Sequence, residues 1–392
     1  MKKLLFVIDS LNIGGAEKSL ISLLNNIDFQ KYSVDLQLFG FGGEFERYLP
    51  TQVHVLSPLP LSLSLEKGLL GQLIHFQLRC LFARIKYSLS IRIGKLNHTD
   101  KARVYWKCFN DCIDVFPKEY DVAIAYAHNI PTFYVASRTT AKMKLAWVNA
   151  EIHFSERNIS YQYVYYNKFN NIIMVSEKVY QVFLGQFSSC KEKLVIIKDI
   201  LDQLLISQLS AETLNLDKDD TIPCLLTVAR LERFHKGYDI TLETCKILKE
   251  RGFKFLWYVI GEGDYRKEME AYIKKNMLQD RFFLLGKRSN PYPYFKRASL
   301  YVQTSRMEGF GLSLAEARML NCPVVTTEFG AVWDQMVQGE NGLVVPQEAE
   351  AVADAIMRVL SDEQLYNHIV SYQKQEKKGN TEEIQKFYQL IG

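Results

Sequence analysis

The chain has 392 residues, which is long enough for two domains of ordinary size that each bury most of their apolar surface. Its 48% hydrophobic and 23% charged residues are typical of a globular protein and exclude a disordered chain. Seven scattered cysteines without C-x-x-C spacing predict free thiols in a reducing compartment, rather than a disulfide framework or a zinc site.

The N-terminus predicts a buried strand rather than an export signal. Lys2 and Lys3 precede an apolar run over residues 4–8, but Asp9 ends that run too early for the core of a signal peptide. No stretch is apolar for the 18 residues or more that a membrane-spanning helix needs. We therefore expect a cytoplasmic protein.

The first half of the chain alternates apolar strands with helical segments. Strands alternating with helices predict a parallel sheet that is covered by helices on both faces. The predicted strands cover residues 4–8, 34–39, 53–56, 122–127, 145–148, 172–175 and 194–197.

Residues 61–110 interrupt this pattern with nine Lys or Arg against two Asp or Glu, a net charge of +7 that leaves −3 for the remaining chain. Over residues 72–95 the basic side chains alternate with long apolar ones. This pattern fits a helix lying in an anionic membrane interface, and it equally fits a helical insertion packed on its own domain with a solvated basic rim. Nucleic acid is not the predicted partner, because no recognised binding motif accompanies the charge.

The second half repeats the alternation. A helix is predicted over residues 237–250, with Gly252 in the position of a C-terminal cap. Polar residues 199–222 predict a linker and a domain boundary near 200. The predicted strands cover residues 224–228, 255–260, 282–285, 300–303, 324–326 and 343–345.

The stretch E-G-F-G-L-S-L-A-E, from Glu308 to Glu316, carries the most chemical information. It places one carboxylate in a glycine-rich turn and a second on the helix that is predicted to follow. The backbone N–H groups of Gly309, Phe310 and Gly311 lie at that helix's N-terminus, where the helix dipole favours an anion. Such a site could hold a diphosphate while the two carboxylates accept hydrogen bonds from hydroxyl-bearing rings on either side of it. A ligand that combines these groups is a sugar nucleotide.

Two cationic residues stand where such architectures bind phosphate. Arg230 follows a predicted buried strand and Lys236 precedes the next helix. Fixed cations at these positions could stabilise a departing diphosphate without a metal. The alternative is that both residues are ordinary solvated charges, as most basic residues are. No D-x-D pair is placed to bridge a metal to phosphate, and Asp219-Asp220 fall in the predicted linker.

Two features of the first half are ambiguous when taken alone. Gly14 and Gly15 lie between the first strand and a helix, as in a phosphate loop or in a tight turn that needs positive φ. His128 follows the strand predicted over 122–127, where a histidine is structural as often as it is functional.

The Glu308–Glu316 stretch resembles the E-x7-E motif of the family 4 retaining glycosyltransferases, which have the GT-B fold. The first half resembles the family chiefly through I-G-G-A-E at 13–17. In the second half, further family-like stretches follow the family's order: T-V-A-R-L-E-R-F-H-K-G at 227–237, V-I-G-E-G-D at 259–264, F-L-L-G at 283–286, C-P-V-V-T-T-E-F-G at 322–330 and N-G-L-V-V-P at 341–346.

The resemblance implies two Rossmann-like doubly wound domains facing a central cleft. Residues 1–200 would form an acceptor-side domain with the insertion at 61–110, and residues 201–375 a nucleotide-sugar-binding domain. Residues 376–392 would hold a helix, over 382–390, that packs back on the first domain. The implied activity is metal-independent, cofactor-free, retaining hexosyl transfer from a nucleoside-diphosphate sugar, with a UDP-sugar the favoured donor. The acceptor would be a saccharide or a lipid-linked saccharide of bacterial surface-polysaccharide synthesis, at the inner face of the membrane.

The resemblance also implies roles for single residues. Glu308 would contact hydroxyls of the donor sugar, and Glu316 would bind the ribose hydroxyls. The diphosphate would be held by Arg230, Lys236 and the backbone of Gly309–Gly311. The cleft would be lined by Gly14 and Gly15. His128 would lie near the reacting sugar. Asn149 stands where many relatives carry a histidine, and His153 four residues later is the alternative.

Two other classes of function stay open at this stage. One is a different enzyme on the same fold, a nucleotide-sugar epimerase or a phosphorylase, although no pyridoxal lysine is identifiable for the latter. The other is a non-catalytic partner subunit of a glycosyltransferase, which the intact set of Glu308, Glu316, Arg230 and Lys236 argues against.

Overall fold

The computed structural model describes residues 1–59, 78–92, 96–214 and 221–392. The chain divides into two compact units, an N-terminal unit of Met1–Ile200 with Glu382–Gly392 and a C-terminal unit of Leu201–Thr381. Asp219-Asp220 and the flanks of the basic segment, 72–77 and 93–95, lie outside the described residues.

The N-terminal unit is built on a seven-stranded parallel sheet in the order β3-β2-β1-β4-β5-β6-β7. Its strands are β1 (Lys2–Ile8), β2 (Tyr32–Leu38), β3 (Val53–Val55), β4 (Glu119–Ala125), β5 (Thr140–Val148), β6 (Asn171–Met174) and β7 (Leu194–Ile196). Its first described helices are α1 (Gly15–Asn25), α2 (Leu78–Arg92), α3 (His98–Phe109), α4 (Ile130–Arg138), α5 (Glu156–Tyr166) and α6 (Glu177–Gln186).

The C-terminal unit is built on a six-stranded parallel sheet in the order β10-β9-β8-β11-β12-β13. Its strands are β8 (Cys224–Val228), β9 (Leu256–Ile260), β10 (Phe282–Gly286), β11 (Leu300–Gln303), β12 (Val324–Thr327) and β13 (Leu343–Val345). Its described helices are α7 (Gln203–Ser210), the single turn α8 (Arg233–Lys236), α9 (Tyr238–Glu250), α10 (Arg266–Lys275), α11 (Tyr292–Arg297), α12 (Leu312–Met319), α13 (Ala349–Ser361) and α14 (Glu363–Gln375).

Both sheets have the strand order of doubly wound nucleotide-binding folds, in which the direction of winding reverses once. The reversal falls between β1 and β4 in the first sheet and between β8 and β11 in the second. In such sheets ligands bind outside the carboxyl ends of the strands at this point. The prediction of two Rossmann-like parallel sheets is therefore confirmed, and it directs attention to the ends of β8 and β11.

The last helix, α15 (Ile384–Ile391), belongs to the core of the N-terminal unit. Phe387 is fully buried, with its ring 6.1 Å from those of Phe6 and Trp147. The ring of Tyr388 stacks on Tyr32 at 5.2 Å, and its hydroxyl accepts the Asp28 N–H. Burial of three apolar side chains per two turns explains why this terminal helix is ordered.

The described part of the insertion at 61–110 forms α2, which lies within the basic segment 72–95, and α3, and these two helices pack on each other. Ala83 of α2 is buried, and the ring of Tyr87 lies 5.5 Å from Tyr105 and 5.9 Å from Phe109 of α3. One face of α2 is thus held by its own domain, as the insertion interpretation requires. None of the described helices is long and apolar enough to span a bilayer.

Candidate active site

Two loops meet beyond the carboxyl ends of β8 and β11. Gly237, between α8 and α9, has φ +64°, and a Cβ there would approach the carbonyl oxygen of Thr304 to 1.9 Å. The Thr304 hydroxyl donates to the carbonyl of Gly237 at 3.0 Å. Glycine is required here both by the left-handed backbone and by this close approach. The contact brings the end of α8 against the loop that carries Glu308.

Lys236 and Glu308 form an ion pair at this junction. The Lys236 Nζ donates to Glu308 Oε2 at 2.6 Å, with only 19% and 14% of the two side chains exposed. The Ser305 hydroxyl donates to Glu308 Oε1 at 2.7 Å. A partly buried carboxylate held by a cation and a hydroxyl has a fixed orientation, because charge-assisted hydrogen bonds are the strong ones.

A second layer lies beneath Glu308. Gln303 Nε2 lies 3.4 Å from Glu308 Oε1, and the Tyr301 hydroxyl donates to Gln303 Oε1 at 2.9 Å. Burial and the charge of Glu308 raise the pKa values of the Tyr238 and Tyr301 hydroxyls. Both hydroxyls therefore stay protonated at neutral pH, and that of Tyr301 remains a donor.

The turn after Glu308 opens α12. Gly311 adopts φ +86° at the N-terminus of the helix, and a Cβ there would meet Gln335 and Phe329. Gln335 Nε2 donates to the carbonyl of Phe310, which is itself buried. The segment after β12 thereby braces the turn whose backbone N–H groups, from Gly309 to Gly311, are predicted to face a diphosphate.

Glu316 lies on α12 and is fully buried. The hydroxyl of Tyr292, on α11, donates to its Oε1 at 2.9 Å. Arg230, by contrast, is exposed at the end of β8 and forms no ion pair or side-chain hydrogen bond with any described residue. The structure thus joins Lys236 to Glu308 directly and places Arg230 and Glu316 on elements next to them.

Sequence reasoning missed three residues that hold the two carboxylates. Gln303, Ser305 and Tyr292 are polar side chains within or beside apolar runs, where they read as strand and helix residues. The signal that could have found Gln303 was a polar residue at the end of an apolar stretch that was predicted to be a buried strand. A polar side chain at the end of a buried strand needs a hydrogen-bond partner, and at this edge of the sheet the partner is Glu308.

In the N-terminal unit, Gly14 precedes α1 and Gly15 is its first residue. Of the two interpretations of this pair, the tight turn with positive φ is wrong, because Gly14 is extended at φ −165° and Gly15 is not among the glycines with positive φ. A Cβ at Gly14 would meet the carboxylate of Glu17, which is the end of a flexible side chain and could move aside.

His128 lies three residues beyond the end of β4, since the strand stops at Ala125. Its Nδ1 is buried and has no hydrogen-bond partner among the described residues. Burial, with a smaller contribution from His98, lowers the pKa of His128 to about 4. The imidazole is therefore neutral at physiological pH. Asn149 donates to the carbonyl of Tyr126 at 2.8 Å, and His153 is exposed.

A buried carboxyl in the same unit was not anticipated. Asp199 accepts a hydrogen bond from Ser19, whose hydroxyl lies 2.8 Å from that of Tyr126. Burial raises the pKa of Asp199 to about 7. Among the described residues, no cluster of three or more His, Cys, Asp or Glu side chains is arranged to hold a metal ion.

The fold is that of a doubly wound protein, and beyond β8 and β11 its second sheet carries a lysine paired with a glutamate. Residues 212–376 match the family model described as glycosyl transferases group 1. The matched residues lie within the C-terminal unit, and they confirm the resemblance to glycosyltransferases that the E-x7-E motif predicted.

Two curated proteins illustrate the relationship. Poly(glycerol-phosphate) alpha-glucosyltransferase of Bacillus subtilis is 36% identical over 107 residues, which are 27% of this chain and 16% of that protein. Amylovoran biosynthesis glycosyltransferase AmsK of Erwinia amylovora is 30% identical over 150 residues, 36% of each chain. The chain thus aligns with well under half the length of these relatives.

Solved structures extend the likeness to the whole fold. The crystal structure of Anabaena Alr3699/HepE in complex with UDP and glucose covers 100% of this chain and 99% of its own, with a TM-score of 0.70 and 20% identity. At that identity the likeness concerns the fold alone. The chain has the GT-B fold, as predicted.

Proposed function

We propose that this protein is a retaining glycosyltransferase that moves a hexose from a nucleoside-diphosphate sugar, with UDP the favoured carrier, to an acceptor hydroxyl. The observation that carries the proposal is the Lys236–Glu308 pair beside the α12 N-terminus, with Glu316 on that helix. Cations and helix N–H groups suit a diphosphate, and carboxylates suit sugar and ribose hydroxyls.

The ion pair suggests how donor binding prepares the site. A diphosphate is a stronger anionic partner than one carboxylate, so it would draw the Lys236 Nζ from Glu308. Glu308 keeps its hydrogen bond from Ser305 and gains capacity to accept from hydroxyls of the donor sugar. Donor binding would thus break the ion pair between Lys236 and Glu308. Lys236 would then contact the diphosphate, and Glu308 would contact the sugar.

In the transfer step, the bond from the anomeric carbon to the diphosphate oxygen breaks, and a bond to the acceptor oxygen forms on the same face. The acceptor proton passes to the departing phosphate oxygen. Arg230 and Lys236 stabilise the charge that gathers on the leaving group, which is the role a metal would otherwise fill. An alpha-glucosyltransferase among the relatives supports retention, since common UDP-hexoses are themselves α-linked.

For the acceptor we propose a saccharide, carried on a lipid, in bacterial surface-polysaccharide synthesis. The relative named for amylovoran biosynthesis supports polysaccharide synthesis as the setting of the reaction. The protein would work as a cytoplasmic enzyme bound peripherally at the inner face of the membrane.

The outer face of α2 supports that placement. Phe82, Ile85 and Leu89 lie on one stripe of the helix and are 67%, 45% and 56% exposed. The exposed basic residues Arg79 and Lys86 lie beside them, and α2 contains no Asp or Glu. Apolar side chains among cations suit an anionic bilayer better than water.

The decisive experiment incubates the protein with a panel of UDP-, GDP- and ADP-sugars, with and without saccharide and lipid-linked saccharide acceptors. Release of nucleoside diphosphate that depends on the acceptor, with an α-linked product, supports the proposal. Conversion of the sugar without acceptor indicates an epimerase, and phosphate-dependent sugar release indicates a phosphorylase. Donor binding without turnover of any kind indicates a non-catalytic subunit. Glu308→Gln serves as the inactive control.

A further inference from the structure

The single turn α8, which ends at Lys236, contains no buried residue. Apolar burial is the dominant force that holds an element in place, and α8 lacks it. Phe234 and His235 are both exposed, and the Phe234 ring has 60% of its surface in solvent. The position of this turn, and with it that of the Lys236 side chain, therefore depends on hydrogen bonds to neighbouring segments.

Arg306 supplies such bonds from the loop between β11 and α12. Its Nη1 donates to the carbonyl of Phe234 at 3.2 Å, and its backbone N–H donates to the carbonyl of His235 at 2.8 Å. Its Nη1 and Nη2 also donate to the two carboxylate oxygens of Asp239, at 2.8 and 2.9 Å. A bidentate pair of this kind has a fixed geometry. The contacts of Arg306 thus fall on both sides of Lys236 in the chain.

Asp239 is a firm anchor for this pair. It is the second residue of α9, and its neighbours Tyr238 and Ile240 are buried. The Tyr238 hydroxyl donates to the carbonyl of Ala229 at 3.0 Å, at the end of β8. The side chains of Arg306 and Asp239 are 22% and 33% exposed, and a partly buried pair is screened less by salt than a surface pair.

The contacts of Arg306 matter most when a donor is bound. In the proposed function the diphosphate draws the Lys236 Nζ from Glu308, so the ion pair between the two loops is lost. The bonds from Arg306 to Phe234 and Asp239 involve neither of these groups, so they remain.

We propose that Arg306 is a positioning residue for the donor site, which holds the α8 turn so that Lys236 stays within reach of the diphosphate after the Lys236–Glu308 pair has broken. This inference rests on the proposed function. Arg306 acts through Lys236, and its guanidinium is engaged by Asp239 rather than by the donor.

The test is a double-mutant cycle on nucleotide affinity. Calorimetry gives the Kd of UDP for the parent, Arg306→Gln, Lys236→Ala and the double variant; ADP or GDP takes its place if the parent binds one of them more tightly. We expect Arg306→Gln to weaken binding about 3- to 10-fold, the scale of coupling within one hydrogen-bond network. In the Lys236→Ala background the same substitution should change the Kd less than about twofold, because no cation remains to be positioned.

A matched control is Arg251→Gln, which removes another guanidinium of the same unit that pairs with two carboxylates, those of Glu350 and Asp354. Its nucleotide affinity should equal that of the parent. If Arg306→Gln folds poorly, Asp239→Asn alters the other end of the pair with a side chain of nearly the same size. It should weaken binding with the same dependence on Lys236.

The outcomes separate the positioning role from the proposed function. An equal loss of affinity in both backgrounds, or no loss in either, overturns the positioning role, since a general effect on the fold would not depend on Lys236. A Lys236→Ala variant that binds the nucleotide like the parent removes the contact between Lys236 and the diphosphate, and this inference with it. A parent that binds none of UDP, ADP and GDP refutes the proposed function itself.

Discussion

Acidification should destabilise the N-terminal unit through His128. Its pKa is lowered from 6.5 to about 4 in the folded chain, because the ring is buried. Between these values the unfolded chain binds the additional proton, so the free energy of unfolding falls as the pH falls. Linkage over this window gives a loss of about 2 kcal/mol between pH 7.5 and pH 5.

The perturbation that isolates this effect is His128→Asn. Other buried groups also titrate, and Asp199, with its pKa raised to about 7, acts with the opposite sign. These contributions are common to the parent and the variant, so they cancel in the difference. We expect the pH dependence of stability to be shallower in the variant by about 2 kcal/mol over the same interval.

Two measurements check this. Hydrogen exchange of the slowest amides in β1 and β4, corrected for intrinsic rates, reports the opening free energy of this unit. Proton titration of histidine ring signals, with His128→Asn assigning the resonance, reports the pKa directly. A measured pKa above about 6, or the same pH dependence in both proteins, would refute the reasoning, since a solvated imidazole titrates near 6.5. A neutral ring at pH 7 would also leave His128 one nitrogen that accepts a proton or hydrogen bond and one N–H that donates a hydrogen bond.

Four predictions test the proposed function. Glu308→Ala should reduce turnover severely and leave affinity for the free nucleoside diphosphate intact, whereas Glu316→Ala should weaken that affinity; calorimetry in which both variants bind like the parent would contradict the ribose assignment. Arg230→Ala and Lys236→Ala should each cost roughly 2–4 kcal/mol of transition-state stabilisation in kcat/KM. A chelator should not change the parent's activity, and loss that magnesium or manganese restores would exclude the metal-free step. The parent should co-sediment with anionic vesicles, less so at higher salt, because each surface cation contributes on the order of 1 kcal/mol. Glutamine at four basic positions of α2 should reduce that binding: Arg79, Arg84, Lys86 and Arg92. Glutamine at four exposed lysines of the C-terminal unit is the matched control: Lys267, Lys274, Lys275 and Lys296. A parent that ignores the vesicles at low salt would make α2 a structural insertion only.

The strands of the C-terminal unit were predictable because they are buried on both faces and read as short continuous apolar runs. The predicted strands 224–228, 300–303 and 343–345 coincide with β8, β11 and β13. By contrast, β5 begins at Thr140, five residues before the predicted start at 145. There exposed Thr140 and Lys142 alternate with half-buried Ala141 and Met143, which gives the weaker signal of a strand covered on one side.

Residues 199–222 were predicted as a linker, and they include α7, which packs within the C-terminal unit. Ile206 is the buried apolar residue of that helix, while Leu204 is 77% exposed. A helix this short, with an apolar residue on its outer face, does not present a clean amphipathic stripe. Its place became visible only through contacts such as that from Asn290 to Leu209.

The pairing of Lys236 with Glu308 lay beyond sequence reasoning for a topological reason. Both residues were predicted to be functional, but with separate ligands, the diphosphate and the sugar. They are 72 residues apart, and they meet because β11 pairs with β8 although β9 and β10 come between them in the chain. Local patterns specify each strand, whereas this adjacency depends on the winding order of the whole sheet. Gly237 is the local trace of this adjacency, because a Cβ there would collide with the carbonyl oxygen of Thr304 on the other loop. A side chain at 237 would therefore separate the two loops, and with them the cation and the carboxylate on which the proposed transfer depends.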